Sequence, residues 1–197
     1  MKTDGVVLSA GLSTRANAYK MTLKIGGKTL IENCIENMYD YCAKIIVVGG
    51  FKIEKIASLV CKYSKVELVY NKNYNEGMFS SVKKGLSHVI GEKFFLTPGD
   101  YPLISSNVYK SLQQTECNIA IPSYNGIRGH PVLIKSGFIS EICTNPGYNS
   151  LRDFINSRSY TIVDVSDIGI LLDIDTEEDY NRICQRYSST KSEINKS

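Results

Sequence analysis

Small residues and two cations follow the first apolar run of the chain, in the segment VVLSAGLSTRANAYK. The small side chains of Ser9, Ala10 and Gly11 let a ligand approach the backbone, whose amide groups in such a turn can bind phosphate oxygens. Arg15 offers a planar pair of donors to phosphate, and Lys20 offers a mobile point charge. This spacing indicates a site for an anion with several negative charges. The alternative is a plain turn in which both cations are solvated.

Two later segments carry carboxylates that could hold a cation. TPGDYPLI places Asp100 at the tip of a loop after an apolar run, and Asp173 and Asp175 follow in LLDIDTEEDY. Mg²⁺ is usually bound by one or two protein carboxylates together with substrate phosphates. The alternatives are local, because Asp100 can close the next turn and Asp175 can cap the helix that follows. From the residues alone, both the local role and the Mg²⁺ role stay open for these carboxylates.

Further polar residues lie next to glycines. His130 stands between a glycine and a proline in GIRGHPVLI, where a solitary histidine is more often structural than catalytic. Gly77 begins a predicted helix in NEGMFSSVKKG, and Ser81 in its first turn could cap the helix or line a pocket near a base. Arg152 in GYNSLRDF is typical of a helix-surface charge, although it could reach an anionic substrate.

Alternating strands and helices must position these residues. DGVVLSA, AKIIVVGG, VELVYN and EKFFLTPGD have the composition of buried strands, and amphipathic helical segments separate them. This β-α-β-α-β-α-β order predicts a parallel sheet covered by helices. In such sheets, ligands bind beyond the carboxyl ends of the strands. The candidate loops all follow predicted strands, so we expect them to meet at one edge of the sheet.

The second half of the chain continues the same fold. We predict a helix SSNVYKSLQQ, a strand CNIAIPSY, a strand PVLI, helices near 136–143 and 149–157, strands YTIVDV and GILLDI, and a helix EEDYNRICQRY. The predicted fold class is α/β: a single-domain, Rossmann-like three-layer sandwich with a mostly parallel sheet and helices on both faces. The domain is predicted to span residues 1–187, followed by a polar, disordered tail at 188–197.

The bulk composition excludes several classes of protein. The 197 residues are 43% hydrophobic and carry a net charge of +3, with no basic cluster beyond Lys83-Lys84, so neither nucleic acid nor membrane is expected as a partner. Six cysteines lie mostly in apolar runs without a C-x-x-C pair, which is typical of reduced thiols. No apolar run approaches the ~18–20 residues of a membrane span or resembles a signal peptide. The predicted location is cytoplasmic.

In their order along the chain, these segments resemble the molybdenum cofactor cytidylyltransferases and related small nucleotidyltransferases. The family pattern L-A-A-G-x-S-x-R-M-G-x-x-K is matched at Leu8, Ala10, Gly11, Ser13, Arg15 and Lys20. NEGMFSSVKKGL is similar to G-M-x-x-S-[LV]-x-x-G, PGDYP to G-D-x-P, RGHPVLI to G-H-P-[VI], and DIDTEEDY to D-I-D-T-P-E-D. The resemblance covers about residues 4–187.

The resemblance implies a nucleotidyltransferase domain of the nucleotide-diphospho-sugar transferase type. It implies a nucleoside triphosphate bound by Leu8, Ser9, Ala10, Gly11, Ser13, Arg15, Lys20, Gly77, Ser81 and Asp100. The catalytic residues would be Arg15, Lys20 and Asp100, and Mg²⁺ would be held by Asp100 and Asp175. Gly129, His130 and Arg152 would lie on the acceptor side. Related guanylyltransferases usually carry a glycine where this chain has Ala10, which favours CTP as the nucleotide.

The chain also departs from the family pattern. Ala16-Asn17 replaces the Met-Gly after the arginine, and Ser9 replaces an alanine beside the base, which adds a hydroxyl without an identified partner. Of the acceptor segment G-D-x-G-x-R, only Gly147 and Arg152 remain. This last departure weakens the inference of molybdopterin as the acceptor more than the inference of nucleotide binding.

The sequence contains no obvious pair of nucleophile and base. A phosphate monoester needs none, because its second pKa of about 6 leaves it mostly dianionic at neutral pH, ready to attack the α-phosphate and release pyrophosphate. Three hypotheses remain open: CMP transfer from CTP to molybdopterin; the same chemistry with another NTP or on another phosphorylated acceptor such as a sugar phosphate or phosphocholine; and a non-catalytic protein that delivers cofactor to a partner molybdoenzyme.

Overall fold

The computed structural model describes residues 2–11 and 19–194, with side chains as far as Tyr187. The strands within this part are β1 (Thr3–Ser9), β2 (Lys24–Ile25), β3 (Lys28–Thr29), β4 (Lys44–Gly49), β5 (Val66–Tyr70), β6 (Lys93–Pro98), β7 (Ile119–Tyr124), β8 (Ile127–Arg128), β9 (Val132–Lys135) and β10 (Thr161–Asp164). The α-helices are α1 (Leu30–Met38), α2 (Ile53–Val60), α3 (Met78–Leu86), α4 (Ser106–Gln114), α5 (Ile139–Thr144), α6 (Leu151–Asn156) and α7 (Glu177–Ile194).

One mixed sheet forms the centre of the molecule. Its strand order is β10-β7-β9-β6-β1-β4-β5, with β8 paired to β7 at one end. β1 pairs in parallel with β4 and with β6, and β4 pairs in parallel with β5. β9 is inserted between β6 and β7 and runs antiparallel to both. The predicted α/β class and mostly parallel sheet are confirmed, and β9 is the reversed strand that makes the sheet mixed.

Helices cover both faces of this sheet, because successive strand residues point to opposite sides. On one side, strand residues such as Val7 and Val47 pack with the apolar faces of α1, α2 and α4. On the other side, residues such as Val6 and Val48 pack with α3, α5 and α6. The structure is therefore the three-layer sandwich that the alternation of elements predicts.

A third apolar cluster holds the C-terminal helix. α7 packs through Ile183 against Ile25 of the β2–β3 hairpin, Leu30 and Ile174. The helix runs to Ile194, so the domain end predicted at residue 187 lies inside a helix rather than at its end. No helix in the described part of the chain combines the length and hydropathy that a bilayer crossing requires. The six cysteines, all within the described residues, form no disulfide bond.

One predicted strand is wrong. The segment GILLDI was expected to be a strand, but Ile168–Leu171 forms a 3₁₀-helix and residues 172–176 join no ladder. The cause is a side-chain cap: Asp167 Oδ1 accepts a hydrogen bond from the backbone N–H of Gly169 at 2.7 Å. The other oxygen of the same carboxylate accepts from the N–H of Ser105 at 2.7 Å, which fixes the turn against the start of α4.

Parallel pairing brings the carboxyl ends of four strands to one edge. In the ladders, Ser9 is paired with Gly49, Gly49 with Tyr70, and Leu8 with Pro98. The chain segments that follow β1, β4, β5 and β6 therefore begin at neighbouring positions. The candidate loops predicted from the sequence begin at three of these four strand ends.

Candidate nucleotide site

A cavity of about 430 Å³ opens at the carboxyl edge of the sheet. The described residues predicted to bind nucleotide or metal all line it: Leu8, Ser9, Ala10, Gly11, Lys20, Gly77, Ser81, Asp100 and Asp175. Ser13 and Arg15, predicted for the same site, lie outside the described residues. The structure thus brings together segments up to 167 positions apart in the chain, from Leu8 to Asp175.

The loop after β1 is held by side chains on both sides of the backbone. The Ser9 hydroxyl donates to Val48 O at 2.9 Å, so the hydroxyl that replaces the family alanine has a partner inside the sheet. The Tyr19 hydroxyl donates to Ser9 O at 3.0 Å. A methyl group on Gly50 would lie 2.7 Å from Ala10 O, so glycine is needed for this close approach. The backbone at Ala10 is therefore fixed without contribution from a ligand.

Two carboxylates share one ammonium group in the cavity. Lys20 Nζ donates to Asp100 Oδ2 at 2.8 Å and to Asp175 Oδ1 at 2.9 Å. Burial of the ammonium group opposes its charge, but the Asp100 and Asp175 carboxylates outweigh burial and raise the pKa of Lys20. The side chain is therefore a cation at neutral pH. The second oxygen of Asp100, Oδ1, is buried and has no hydrogen-bond partner among the described residues.

This donor set fits a divalent cation. Two carboxylates that converge on one positive charge, one of them with an unpartnered buried oxygen, match the protein share of a Mg²⁺ site, whose remaining ligands are phosphates and water. Across the described residues no group of three or more acidic, histidine or cysteine side chains could hold a metal. Asp100 and Asp175 are the two candidate ligands, since both carboxylates contact Lys20 Nζ.

Asp175 reaches this position because Thr176, not Asp175, caps α7. Thr176 Oγ1 accepts from the N–H of Asp179 at 3.0 Å, and Asp179 Oδ2 accepts from the N–H of Thr176 at 2.9 Å. This reciprocal capping box satisfies the helix end and leaves the Asp175 carboxylate to Lys20. The backbone N–H of Ile174 donates to Asp100 O at 3.1 Å, which ties the two acidic segments together.

Helix α1 supports the loop that carries Asp100. The Cys34 Sγ lies 3.3 Å from Gly99 O and 3.5 Å from Tyr101 O, the carbonyl oxygens on either side of Asp100. Asn37 Nδ2 donates to Pro102 O at 3.0 Å. Burial is the main reason why the pKa of the Cys34 thiol lies well above its usual value, so the sulfur stays protonated and can donate to these carbonyls.

The predicted acceptor-side residues do not line this cavity. His130 lies immediately before β9, and its ring packs edge-on against Tyr101 with 4.8 Å between ring centroids. Burial lowers the pKa of His130 to about 4, the Asp100 carboxylate opposes this effect and Arg152 adds to it. Gly129 approaches Ile170 closely, since a methyl group there would lie 2.3 Å from Ile170 O. His130 therefore contacts the loop that carries Asp100 through the Tyr101 ring but does not border the cavity.

Several residues that line the cavity were not predicted from the sequence. Tyr19, Met21, Tyr74, Asn75, Met78 and Pro98 also border the cavity. Met78 is 66% exposed although it is a large apolar residue. Its place directly after Gly77, at the first turn of α3, is the signal that could have identified it. Tyr74 would have been harder to find, because it lies in a 3₁₀ turn that no pattern marks.

The fold is an α/β sandwich with a cavity at the carboxyl edge of its sheet, the edge at which open α/β sheets bind ligands. Comparison with known proteins gives the family. Residues 5–162 match the MobA-like NTP transferase domain, and the chain belongs to that family of nucleotidyltransferases.

Relatives are similar over most of the chain. The chain is 29% identical to the molybdenum cofactor cytidylyltransferase of Escherichia coli (strain K12) over 186 residues, which cover 94% of this chain and 97% of that protein. It is 29% identical to a probable molybdenum cofactor guanylyltransferase of Bacillus cytotoxicus over 135 residues, 66% of this chain and 65% of that protein. A solved homologue of the Mycobacterium tuberculosis protein Rv0371c, from Mycobacterium sp. strain JC1, superposes with a TM-score of 0.81 at 26% identity and covers 95% of this chain and 98% of the other.

Proposed function

We propose that this nucleotidyltransferase transfers the CMP group of CTP to the phosphate of molybdopterin and releases pyrophosphate. The observation that carries the proposal is the cavity in which Lys20, Asp100 and Asp175 converge beside the small-residue loop of Ala10 and Gly11. The likeness to a cytidylyltransferase over 94% of the chain supports cytosine as the base and molybdopterin as the acceptor.

The nucleotide half of the site follows from the cavity lining. The backbone at Ala10 and Gly11 and the cations of Lys20 and Arg15 bind the triphosphate, while Gly77 and Ser81 lie at the base. Asp100 and Asp175 would hold Mg²⁺, which would neutralise charge on the phosphates when bound. Lys20, which contacts both carboxylates, would then direct its ammonium group to the phosphates.

The protein contributes position and charge rather than a base. The acceptor phosphate is already a dianion at neutral pH and attacks the α-phosphate of CTP in line; the bond from that phosphorus to the bridging oxygen breaks, and pyrophosphate carries away the electron pair. Lys20 and Arg15 stabilise the negative charge that builds up on the leaving group. His130 is neutral above pH 5 because of its low pKa, so on the acceptor side it binds by hydrogen bonding while Arg152 supplies the charge.

Turnover with defined substrates tests this function. The purified protein with Mg²⁺ is incubated with CTP, GTP, ATP or UTP and with molybdopterin, a sugar phosphate or phosphocholine, and the nucleotide adduct is identified by mass spectrometry. We expect a CMP adduct of molybdopterin and one pyrophosphate per adduct. A GMP adduct would overturn the choice of base, and a CMP adduct of another acceptor would overturn the choice of acceptor.

Variants separate the two halves of the site. Arg152→Ala is expected to raise the KM for the acceptor about tenfold while the KM for CTP stays unchanged, since a lost charge-assisted hydrogen bond costs about 1.5–3 kcal/mol. Arg158→Ala is a matched control on the same segment of chain, because Arg158 is paired with Glu141 and packs beside Phe138. An equal rise in both KM values for Arg152→Ala would contradict its place on the acceptor side.

A further inference from the structure

A buried amide at the end of β5 organises the base side of the cavity. Asn71 is 4% exposed, and its backbone N–H donates to Gly49 O at 2.9 Å, which extends the β4–β5 ladder by one residue. Its side-chain oxygen accepts from the N–H of Asn73 at 3.0 Å. Its amide nitrogen donates to Ser80 Oγ at 2.9 Å and to Ser81 Oγ at 3.0 Å. Every polar group of the Asn71 side chain is thus used.

Ser80 and Ser81 both accept a hydrogen bond from the Asn71 amide, but their own hydroxyl hydrogens are used differently. Ser80 Oγ also lies 2.9 Å from Asn73 O and 2.8 Å from Gly77 O, so its hydrogen has a backbone acceptor. Ser81 lines the cavity and is 4% exposed, and among the described residues no acceptor lies within hydrogen-bonding distance of its hydroxyl hydrogen. The Ser80 hydroxyl therefore bonds to the backbone before α3, whereas the Ser81 hydroxyl has a hydrogen available for another acceptor.

The direction of the bond between Asn71 and Ser81 fixes this outcome. An amide nitrogen has two hydrogens and no lone pair to offer, so the Ser81 oxygen must accept. A hydroxyl whose oxygen is engaged in this way presents its hydrogen to the remaining space, which is the cavity. Buried polar groups are rarely left unpaired, so an acceptor on a bound ligand is the expected partner.

We propose that Asn71 is a positioning residue that sets base specificity by holding Ser81 as a hydrogen-bond donor. The ligand class is a pyrimidine nucleotide whose ring N3 is an acceptor. Cytosine meets this requirement, whereas N3 of uracil carries a hydrogen and would face the Ser81 hydrogen. The inference rests on the proposed function, because it assumes that Ser81 lies at the base, and it adds the residue that determines the choice between CTP and UTP.

Asn71→Asp reverses the polarity with little change of shape. The carboxylate still accepts from the N–H of Asn73, but it replaces the amide donors by an acceptor, so the Ser81 hydroxyl donates to it and turns lone pairs to the cavity. We expect the ratio of the Kd for UTP to the Kd for CTP to fall about tenfold, through weaker CTP binding and tighter UTP binding. Tighter UTP binding is the signature of a role in specificity, because general damage to the fold would weaken both nucleotides.

Three further variants complete the experiment, which uses titration calorimetry with Mg²⁺ and each of CTP, UTP and GTP, and thermal unfolding. Ser81→Ala should lower the ratio without tightening UTP. Asn71→Asp in the Ser81→Ala background should cause no further change in the ratio, because Asn71 acts through Ser81. Ser80→Ala is the matched control, since it removes a partner of the same amide away from the cavity, and should lower the unfolding temperature while keeping the ratio.

The outcomes distinguish this inference from the proposed function. If the wild type prefers CTP to UTP and both Ser81→Ala and Asn71→Asp keep the wild-type ratio, the role of Asn71 is overturned while cytidylyl transfer stands. Should Asn71→Asp fail to fold, an unchanged ratio in Ser81→Ala alone overturns it. A wild type that binds GTP in preference to both pyrimidines overturns the proposed function and, with it, the cytosine contact inferred here.

Discussion

The Lys20 ammonium nitrogen lies 2.8 Å from Asp100 Oδ2, a contact between residues 80 positions apart in the chain. Because Asp175 binds the same nitrogen at 2.9 Å, the lysine keeps two carboxylates together at the place that fits a divalent cation. Under the proposed function, Mg²⁺ and the lysine would compete for this position. Metal binding and phosphate binding would then be coupled, since a lysine displaced from the carboxylates would be available to the triphosphate.

Removal of the Lys20 ammonium group should have opposite effects on turnover and on metal binding. For Lys20→Met we expect kcat to fall about 100-fold, because one preorganised cation near the leaving group is lost. Binding of Mn²⁺ without nucleotide, measured by electron paramagnetic resonance, should tighten because the competing charge is gone. Lys24→Met is the control, since Lys24 is exposed and does not line the cavity. Unchanged turnover in Lys20→Met, or weaker Mn²⁺ binding, would contradict the competition.

Removal of the Asp100 charge should weaken the stabilisation of the protein by nucleotide. A ligand at 100 times its Kd adds about 2.7 kcal/mol to the free energy of unfolding, which raises the Tm of a chain this size by several degrees. Asp100→Asn should retain less than half of the Tm rise given by CTP with Mg²⁺ and lose about 100-fold in kcat. Asp164→Asn, at an exposed position of β10, should match the wild type in both. An equal Tm rise in Asp100→Asn would exclude Asp100 as a metal ligand.

Gly11 tests where the phosphates bind. A methyl group at Gly11 would meet no atom within 4 Å among the described residues, so Gly11→Ala should leave the Tm of the free protein unchanged within about 1 °C. If the triphosphate lies against this backbone, the same methyl group should raise the Kd for CTP at least tenfold. Gly137→Ala, also in open space but far from the cavity, should change neither quantity. Normal CTP affinity in Gly11→Ala would place the phosphates elsewhere.

Cys34 is expected to affect activity as well as stability. Cys34→Ala and Cys42→Ala both remove a sulfur from the same buried cluster and should each cost about 1–2 kcal/mol of unfolding free energy in urea denaturation. Only Cys34 contacts the carbonyls that flank Asp100, so only Cys34→Ala should also reduce kcat/KM for CTP, by about tenfold. Equal activities of the two variants would show that the contact with the Asp100 loop has no functional effect.

His130 makes stability depend on pH in a defined window. Burial, the first cause, lowers its pKa from 6.5 to about 4, so the unfolded chain binds a proton that the folded chain rejects between these values. This contribution to stability is complete above pH 6.5 and is lost as pH falls towards 4. We expect a loss on the order of 2 kcal/mol, after allowance for the partial exposure of the side chain. Urea denaturation from pH 7 to 4 should show a shallower decline in His130→Gln, and an identical decline would refute the assignment.

Strands built from continuous apolar runs were predictable from the sequence. The apolar residues 45–48 and 94–96 leave no polar face, which indicates central strands, and the residues that follow such strands must meet at one edge. This argument was enough to bring Ala10 and Asp100 into one predicted site, whereas Asp175 was expected there through the strand GILLDI, which does not form. It needs only local composition and the parallel direction of the strands.

Features that depend on distant partners were not predictable in this way. The run GILLDI has strand composition, but the Asp167 carboxylate that caps its 3₁₀-helix is held in place by Ser105, 62 positions away. The reversed direction of β9 depends on its pairing with β6 and β7. Asn71 was not predicted because its role depends on hydrogen bonds to Ser80 and Ser81 of α3. Its position directly after a strand was nevertheless a signal that could have identified it.

The reversal of β9 places Gly129 and His130 on a different half of the sheet from the residues that line the cavity. Since β9 runs opposite to β1, β4, β5 and β6, it is its beginning, not its end, that meets the ligand edge, and Gly129 and His130 arrive there from the β8 hairpin. The loops after β1, β5 and β6, which line the cavity, belong to one half of the sheet, and the β7–β8 hairpin belongs to the other. Under the proposed function, mutation can therefore diversify acceptor choice through residues 125–131 while the triphosphate loops remain unchanged, which is how one fold could serve many acceptors during evolution.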